Sequence, residues 1–287
     1  MKKAFFFAIT SALAFSVMNL FVKMLGQGMP ASEITFFRGL IGTAAVLIYM
    51  GVKRISFSSK DRGLLMWRGI FGGVGTLLNF IALAYMNMAD ASILFQLSGI
   101  FVFIFSTLVL KEALPKGSVK WLLAIFCAVT VMIHPWSMST FNWYALYAIG
   151  GAAFSAAAYT TIRKISIQGG HGTYEIMFYF LFTTMLVGGI LMGPNFVVPD
   201  MRQAGIIIII GAISVFAQFF LTGAFVATNA VVAQFMQYIG VFFNSFWGFL
   251  IFDETLSWIT VAGGIIMFTS SVMLARLKER HATGRQS

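Results

Sequence analysis

Two stretches of this chain are each long and apolar enough to cross a bilayer, yet each carries side-chain amides. The first runs from Asn87-Met88-Ala89-Asp90-Ala91-Ser92 through Phe95-Gln96-Leu97-Ser98-Gly99 to Leu110-Lys111-Glu112-Ala113-Leu114. The second runs from Asn229-Ala230 through Gln234-Phe235-Met236-Gln237-Tyr238-Ile239-Gly240 to Phe252-Asp253-Glu254-Thr255-Leu256. Asn87 and Asn229 are 142 positions apart, as are Glu112 and Glu254. A helix of roughly 20 apolar residues spans the hydrocarbon core. An amide inside that core is costly unless it meets protein or water. The matched stretches are therefore read as two walls of one polar cavity.

The rest of the chain has the same character. Only 10% of residues are charged and 59% are hydrophobic, against about 25% charged in a soluble domain. Such a chain is a polytopic membrane protein, and no soluble domain of useful size fits beside its apolar runs. Ten spans are expected, at about residues 5–24, 32–52, 66–86, 90–110, 119–133, 143–162, 174–192, 204–227, 230–252 and 258–274. Lys2-Lys3 ahead of the first run, with Ala12-Leu13-Ala14 inside it, has the form of a signal peptide. Its match in the second half, from Ala145 to Ile165, has no such option, so the run is read as the first span.

The repeat extends beyond the opening pair. Glu33-Ile34-Thr35-Phe36-Phe37 matches Glu175-Ile176-Met177-Phe178-Tyr179, and Gly69 matches Gly211, all at the 142-residue offset. Two five-span repeats are expected, at residues 4–135 and 144–276, with a cytoplasmic tail at 277–287. Five is odd, so the second repeat enters from the opposite side, an inverted-topology arrangement common in secondary transporters. Loop charge sets the orientation. Sixteen basic residues, Arg68 among them, fall in inner segments if both termini are cytoplasmic, against Lys23 and Arg202 outside. That places the chain in the inner membrane. The net charge of +10 serves orientation and contact with anionic lipid rather than nucleic acid.

Helical steps of three, four and seven put Gln234, Gln237, Tyr238 and Asn244 largely on one face of the ninth span. Phe95 and Gln96 take the matching place on the fourth. Asn19, Asn79, Tyr159 and Gln218 supply polar groups from other spans. These ten are the candidate substrate-binding residues. Any one amide also fits a plainer role, bonding neighbouring helices for about 1 kcal/mol or less. Arg38 has two readings. It snorkels to outer headgroups, or it faces the cavity and meets an anion, with Glu33 a nearby partner. Asp90, Glu112, Glu175 and Glu254 are placed at solvent-reached helix ends.

Several classes are disfavoured. No carboxylate lies mid-span, where a proton-coupled exporter of cations needs one. There is no Gly-rich phosphate loop with Lys, and no catalytic constellation, so an ATP-driven pump or an enzyme is not expected. His134, His171 and His281 are far apart and Cys127 stands alone. No metal and no cofactor is expected.

Phe36-Phe37-Arg38-Gly39, the run Ala82-Leu83-Ala84-Tyr85-Met86-Asn87-Met88-Ala89-Asp90-Ala91, Leu110-Lys111-Glu112-Ala113-Leu114 and Phe252-Asp253-Glu254-Thr255-Leu256 together resemble the drug/metabolite transporter superfamily, in its ten-helix EamA type. The resemblance implies an all-α fold with a central cavity lined by spans one, three, four, six, eight and nine. It places spans five and ten at the periphery. It also implies alternating access. Phe180 stands where a second copy of Arg38 would be. The expected function is secondary transport of a small polar or amphipathic metabolite. An amino acid or organic acid is the first choice, with export favoured. Lipid flipping, cationic drug export and, less favoured, a membrane enzyme are the alternatives. The expected partners are the solute and membrane lipid, with the chain a monomer or homodimer.

Overall fold

A bilayer leaves backbone groups no water to bond, so a lipid-facing chain satisfies them within helices. The computed structural model is all-helical among the residues it describes, which are 2–58, 60–109, 117–133, 142–193, 196–228, 230–255 and 257–283. Lys111, Glu112, His134, Asn229 and Leu256 lie outside that set. The helices are α1 (Lys2–Gly26), α2 (Ala31–Val52), α3 (Arg62–Tyr85), α4 (Met88–Phe95), α5 (Ser98–Val109), α6 (Ser118–Ile133), α7 (Tyr144–Gln168), α8 (Thr173–Met192), α9 (Met201–Ala227), α10 (Ala230–Met236), α11 (Ile239–Phe252) and α12 (Trp258–Thr283).

Eight helical stretches are long and apolar enough to cross a membrane: α1, α2, α3, α7, α8, α9, and the joined pairs Met88–Val109 and Ala230–Phe252. Ser118–Ala128 in α6 and Trp258–Leu274 in α12 are shorter apolar segments. Large apolar side chains such as Leu108, Ile190 and Phe242 lie on the outside. That suits a surface that meets acyl chains.

The joined pairs differ from the continuous helices expected. The fourth stretch breaks at Gln96-Leu97 and the ninth at Gln237-Tyr238. At each break the bonding tightens from four residues to three. Leu97 N donates to Leu94 O and Gly99 N to Gln96 O; Tyr238 N donates to Phe235 O and Gly240 N to Gln237 O. Such mid-helix 3₁₀ turns often mark hinges. α12 continues past Arg276 to Thr283, so the first residues of the segment expected as a tail are helical.

Helices of the two halves pack against each other reciprocally: α3 on α7, α1 on α9, α2 on α8 and α6 on α12. Glycines set the approach. Gly69 in α3 sits against Thr183 and the Tyr179 carbonyl, while Gly211 in α9 sits against Ile41. Gly39 faces the Met185 backbone and Gly188 faces the backbone of Ser32 and Phe36. Without a hydrophobic force between helices in lipid, this closeness supplies the packing.

Glu175, expected at a solvent-reached helix end, is buried instead, and so is Glu33, read above as a partner for Arg38. Glu33 is 0% exposed and Glu175 2%. Glu33 Oε2 accepts from Val197 N at 3.1 Å, and Glu175 Oε1 from Ser58 N at 2.9 Å. Each carboxylate thus ties the start of one helix to a loop of the other half. Glu175 Oε2 also meets His171 Nδ1 at 2.9 Å. Lys23, expected in an outer loop, is buried in the last turn of α1. It pairs with Glu254 Oε1 at 2.7 Å and donates to Met86 O at 2.6 Å. Glu254 Oε2 accepts from Met88 N at 2.7 Å. One ion pair therefore joins the ends of α1, α3, α4 and α11.

Adding a side chain at the tight glycines overpacks the α2–α8 contact, a cost of about 1–3 kcal/mol per site. Gly39→Val and Gly188→Val are expected to lose the monodisperse folded peak in fluorescence-detected size exclusion. Gly205→Val, with open space around it, is expected to keep it.

Candidate functional site

The two breaks face one another and hold each other's backbone. Gln96 Nε2 donates to Gln237 O at 3.0 Å, and Tyr238 Oη donates to Gln96 O at 2.8 Å. Gly99 leaves room for that hydroxyl, since a Cβ there would meet Tyr238. Gln234 Nε2 donates to Gln96 Oε1 at 3.1 Å and to Ser98 Oγ at 2.7 Å. Beside them, Asn19 Nδ2 in α1 donates to Asn244 Oδ1 at 3.2 Å, and Asn244 Nδ2 donates to Gly240 O at 2.8 Å.

Behind these amides lies a central cavity of about 110 Å³. Asn19, Asn79, Phe95, Gln96, Tyr159, Gln218, Gln234, Gln237 and Asn244 all line it, and so does Arg38. Tyr238 does not. Its ring turns to the opposite side of the break, against Phe235 and Phe268, and lines an apolar groove toward α12. The step from Gln237 to Tyr238 falls within the 3₁₀ turn, so a regular helical face misplaces it.

Arg38 is 3% exposed. It neither snorkels nor meets Glu33. Its Nε donates to Ser214 Oγ at 2.6 Å and its Nη1 to Thr76 Oγ1 at 3.2 Å. The guanidinium lies 5.5 Å from the Phe80 and Phe180 ring centres and 5.9 Å from that of Phe15.

A second arginine was not expected here. Arg68, counted among loop charges, is 1% exposed, lines the same cavity and stacks 4.5 Å from the Phe180 ring. Its Nε and Nη1 have no hydrogen-bond partner. Arg38 is the eighth residue of α2 and Arg68 the seventh of α3, each roughly 10 Å along its helix from the start. No Asp or Glu lines the cavity among the described residues. Phe180, the residue matching Arg38 in the second half, thus stacks on both guanidiniums. Arg38 and Phe180 also bring α2 and α8 into the cavity wall, which the resemblance left out. The available sequence signal for Arg68 was its neighbour Gly72. The two share a helical face with the glycines that pack α3 against the second half, and a charge on a packing face is not a loop charge.

Buried guanidiniums with aromatic faces and free donors are suited to carboxylate or phosphate oxygens. Intramembrane charges of this kind mark solute pathways. The amide wall opposite offers both donors and acceptors. The cavity thus combines buried cationic groups with neutral amides on a lining of transporter-like helices.

The sequence comparisons agree. The EamA-like transporter family matches residues 2–134 and 142–276. The chain is 36% identical over 280 residues to the pseudopaline exporter CntI of Pseudomonas aeruginosa, covering 97% of this chain and 98% of that one. It is 25% identical to solute carrier family 35 member G1 of Homo sapiens, covering 93% and 77%. It is 23% identical to a riboflavin transporter of Brucella anthropi, covering 93% and 96%. A crystal structure at 15% identity matches with a TM-score of 0.71 over 98% of this chain and 99% of its own, which shows a shared fold. The chain belongs to the EamA-like transporter family, within the drug/metabolite transporters, and is a multi-pass membrane protein.

Proposed function

We propose that this chain is a secondary transporter that exports an anionic or zwitterionic metabolite by alternating access. The observation that carries the reading is the pair of buried arginines in a cavity with no carboxylate lining it among the described residues. Removing a guanidinium from water costs several kcal/mol, and an uncompensated one persists only where function needs it. The same charges oppose a cationic drug. Outward direction is supported by the likeness to a pseudopaline exporter over nearly the full length of both chains.

Alternating access here rests on ten spans in two inverted five-helix repeats. Matched residues support this. The breaks at Gln96 and Tyr238 are 142 positions apart, as are the crossed carboxylates Glu33 and Glu175. Gly69 against Thr183 and Gly211 against Ile41 are the same contact with the halves exchanged. The 110 Å³ cavity is smaller than the ~300 Å³ at which small-molecule pockets begin. The conformation is thus contracted around the site, and the halves part to admit a solute. We place both termini in the cytoplasm and the chain in the inner membrane, from the loop charge, which remains fifteen to two once Arg68 is removed from it.

Two experiments test this. Export is followed by metabolite profiling of spent medium from cells with and without the overproduced protein. Wild type is expected to enrich at least one carboxylate or phosphate compound. Arg68→Met and Arg38→Met, at matched membrane abundance, are each expected to lower that enrichment about tenfold or more, as loss of a charge-assisted contact does. Enrichment of organic cations, or arginine variants with full activity, would sink the reading. Gln96→Ala and Gln237→Ala are expected to impair export as well. Orientation is read from C-terminal fusions. A cytoplasmic fluorophore is expected to shine and a periplasmic phosphatase to stay silent.

A further inference from the structure

The orientation of the cavity amides is not free. Gly240 O can only accept, so Asn244 must present Nδ2 to it. Asn244 Oδ1 then faces Asn19, which must answer with Nδ2. That leaves Asn19 Oδ1 buried with no partner. The second relay runs the same way. Gln237 O can only accept, so Gln96 presents Nε2 to it and keeps Oε1 for Gln234 Nε2. That leaves Gln234 Oε1 buried with no partner. Two chains of hydrogen bonds, each anchored on a backbone carbonyl, thus end in an unpaired acceptor on the wall of one cavity. Flipping either amide would set donor against donor or oxygen against oxygen along its relay.

We propose that Asn19 Oδ1 and Gln234 Oε1 form a subsite for a protonated amine, so that the transported solute is an amino acid derivative with carboxylate to spare. This rests on the export reading above and names the substrate class of the same site. The cavity lining carries two chemically opposite sets of groups. Arg38 and Arg68 bring two positive charges, and Arg68 brings two unpaired N–H groups. The relay termini bring two unpaired oxygens, one from α1 in the first half and one from α10 in the second. A simple organic acid satisfies the arginines and leaves both oxygens desolvated and unpaired, a penalty of the kind that lets polar sites reject analogues lacking a donor. An amine without carboxylates faces uncompensated guanidiniums. A solute with an ammonium group and two carboxylates satisfies both sets and balances the charge to within one unit.

The test uses the full chain in lipid nanodiscs and three probes of one shape: glutamate, glutarate and N-acetylglutamate. All carry two carboxylates, and only glutamate has a protonated amine. Binding is read by equilibrium dialysis, with thermal unfolding as the check on folding. Glutamate is expected to bind about tenfold more tightly than either analogue, the scale of a hydrogen bond to a charged group. Asn19→Leu and Gln234→Leu are expected to bring the glutamate-to-glutarate affinity ratio to about one, whatever the absolute affinity for either probe. Arg68→Met is expected to lose all three. Glutarate binding as tightly as glutamate in the wild type overturns the amine subsite, and leaves the anion reading intact if Arg68→Met still loses both. A glutamate preference that survives Arg68→Met overturns the anion reading instead. No binding of any probe up to 50 millimolar, roughly the weakest affinity worth reading, overturns the proposal.

Discussion

Backbone polarity in a medium without water governs this molecule. Two helices stop being α-helical in the middle of the membrane, and each break strains the i to i−4 ladder around one carbonyl. At each break the carbonyl accepts its own helix's amide three residues on, Gly99 N at Gln96 O and Gly240 N at Gln237 O. Gln96 and Tyr238 reach across to give each of those carbonyls a second bond from the other half, at Gln237 O and Gln96 O respectively. The halves are therefore joined at the point where each is locally weakest. The carboxylates follow the same logic at the helix ends, with Glu33 and Glu175 each holding an amide of the opposite half.

The arginine pair needs a separate account. Arg38 is held by two hydroxyls and three ring faces, which replace part of its hydration. Arg68 has one ring face and two free donors. The aromatic support is cheap in conformational terms, because Phe180 serves both charges. Helix packing alone would be better served by apolar residues at these positions, since a buried charge adds little stability. The asymmetry between the two arginines also has a reading. Arg38 has hydroxyl partners in the wall, and Arg68 keeps the bonding capacity that the proposed anionic solute would use.

Much of this was legible in the chain. The 142-residue repeat, the helical spans and nine of the ten amide or aromatic cavity positions follow from spacing and hydropathy. What failed did so for physical reasons. The breaks carry no proline, and Gln96 and Ser98 read equally well as polar groups on an unbroken helix. At each break the carbonyl is bonded from the other half, a contact that local sequence does not contain. Tyr238 was misplaced because it sits within the 3₁₀ turn itself, where the regular helical face is interrupted. Arg68 was read as loop charge because it lies near the start of its span. Only its place one turn before Gly72, on a packing face, argued otherwise. Lys23 and Glu254 are 231 residues apart, and nothing in either neighbourhood announces the pair.

The amide relays connect the cavity to the joint. Gln234 is both the end of one relay and the donor that fixes Gln96, and Gln96 in turn holds the opposite break. A group that bonds Gln234 Oε1 aligns its amide so that Nε2 stays on Gln96 Oε1 and Ser98 Oγ. At one end, the Lys23–Glu254 pair and the Met88 amide close α1, α4 and α11 against each other. Parting the halves at that end breaks these contacts, while the opposite end of the same helices can part without touching them. The bonds at the breaks lie between the two, so they are the contacts about which the proposed alternating access would turn.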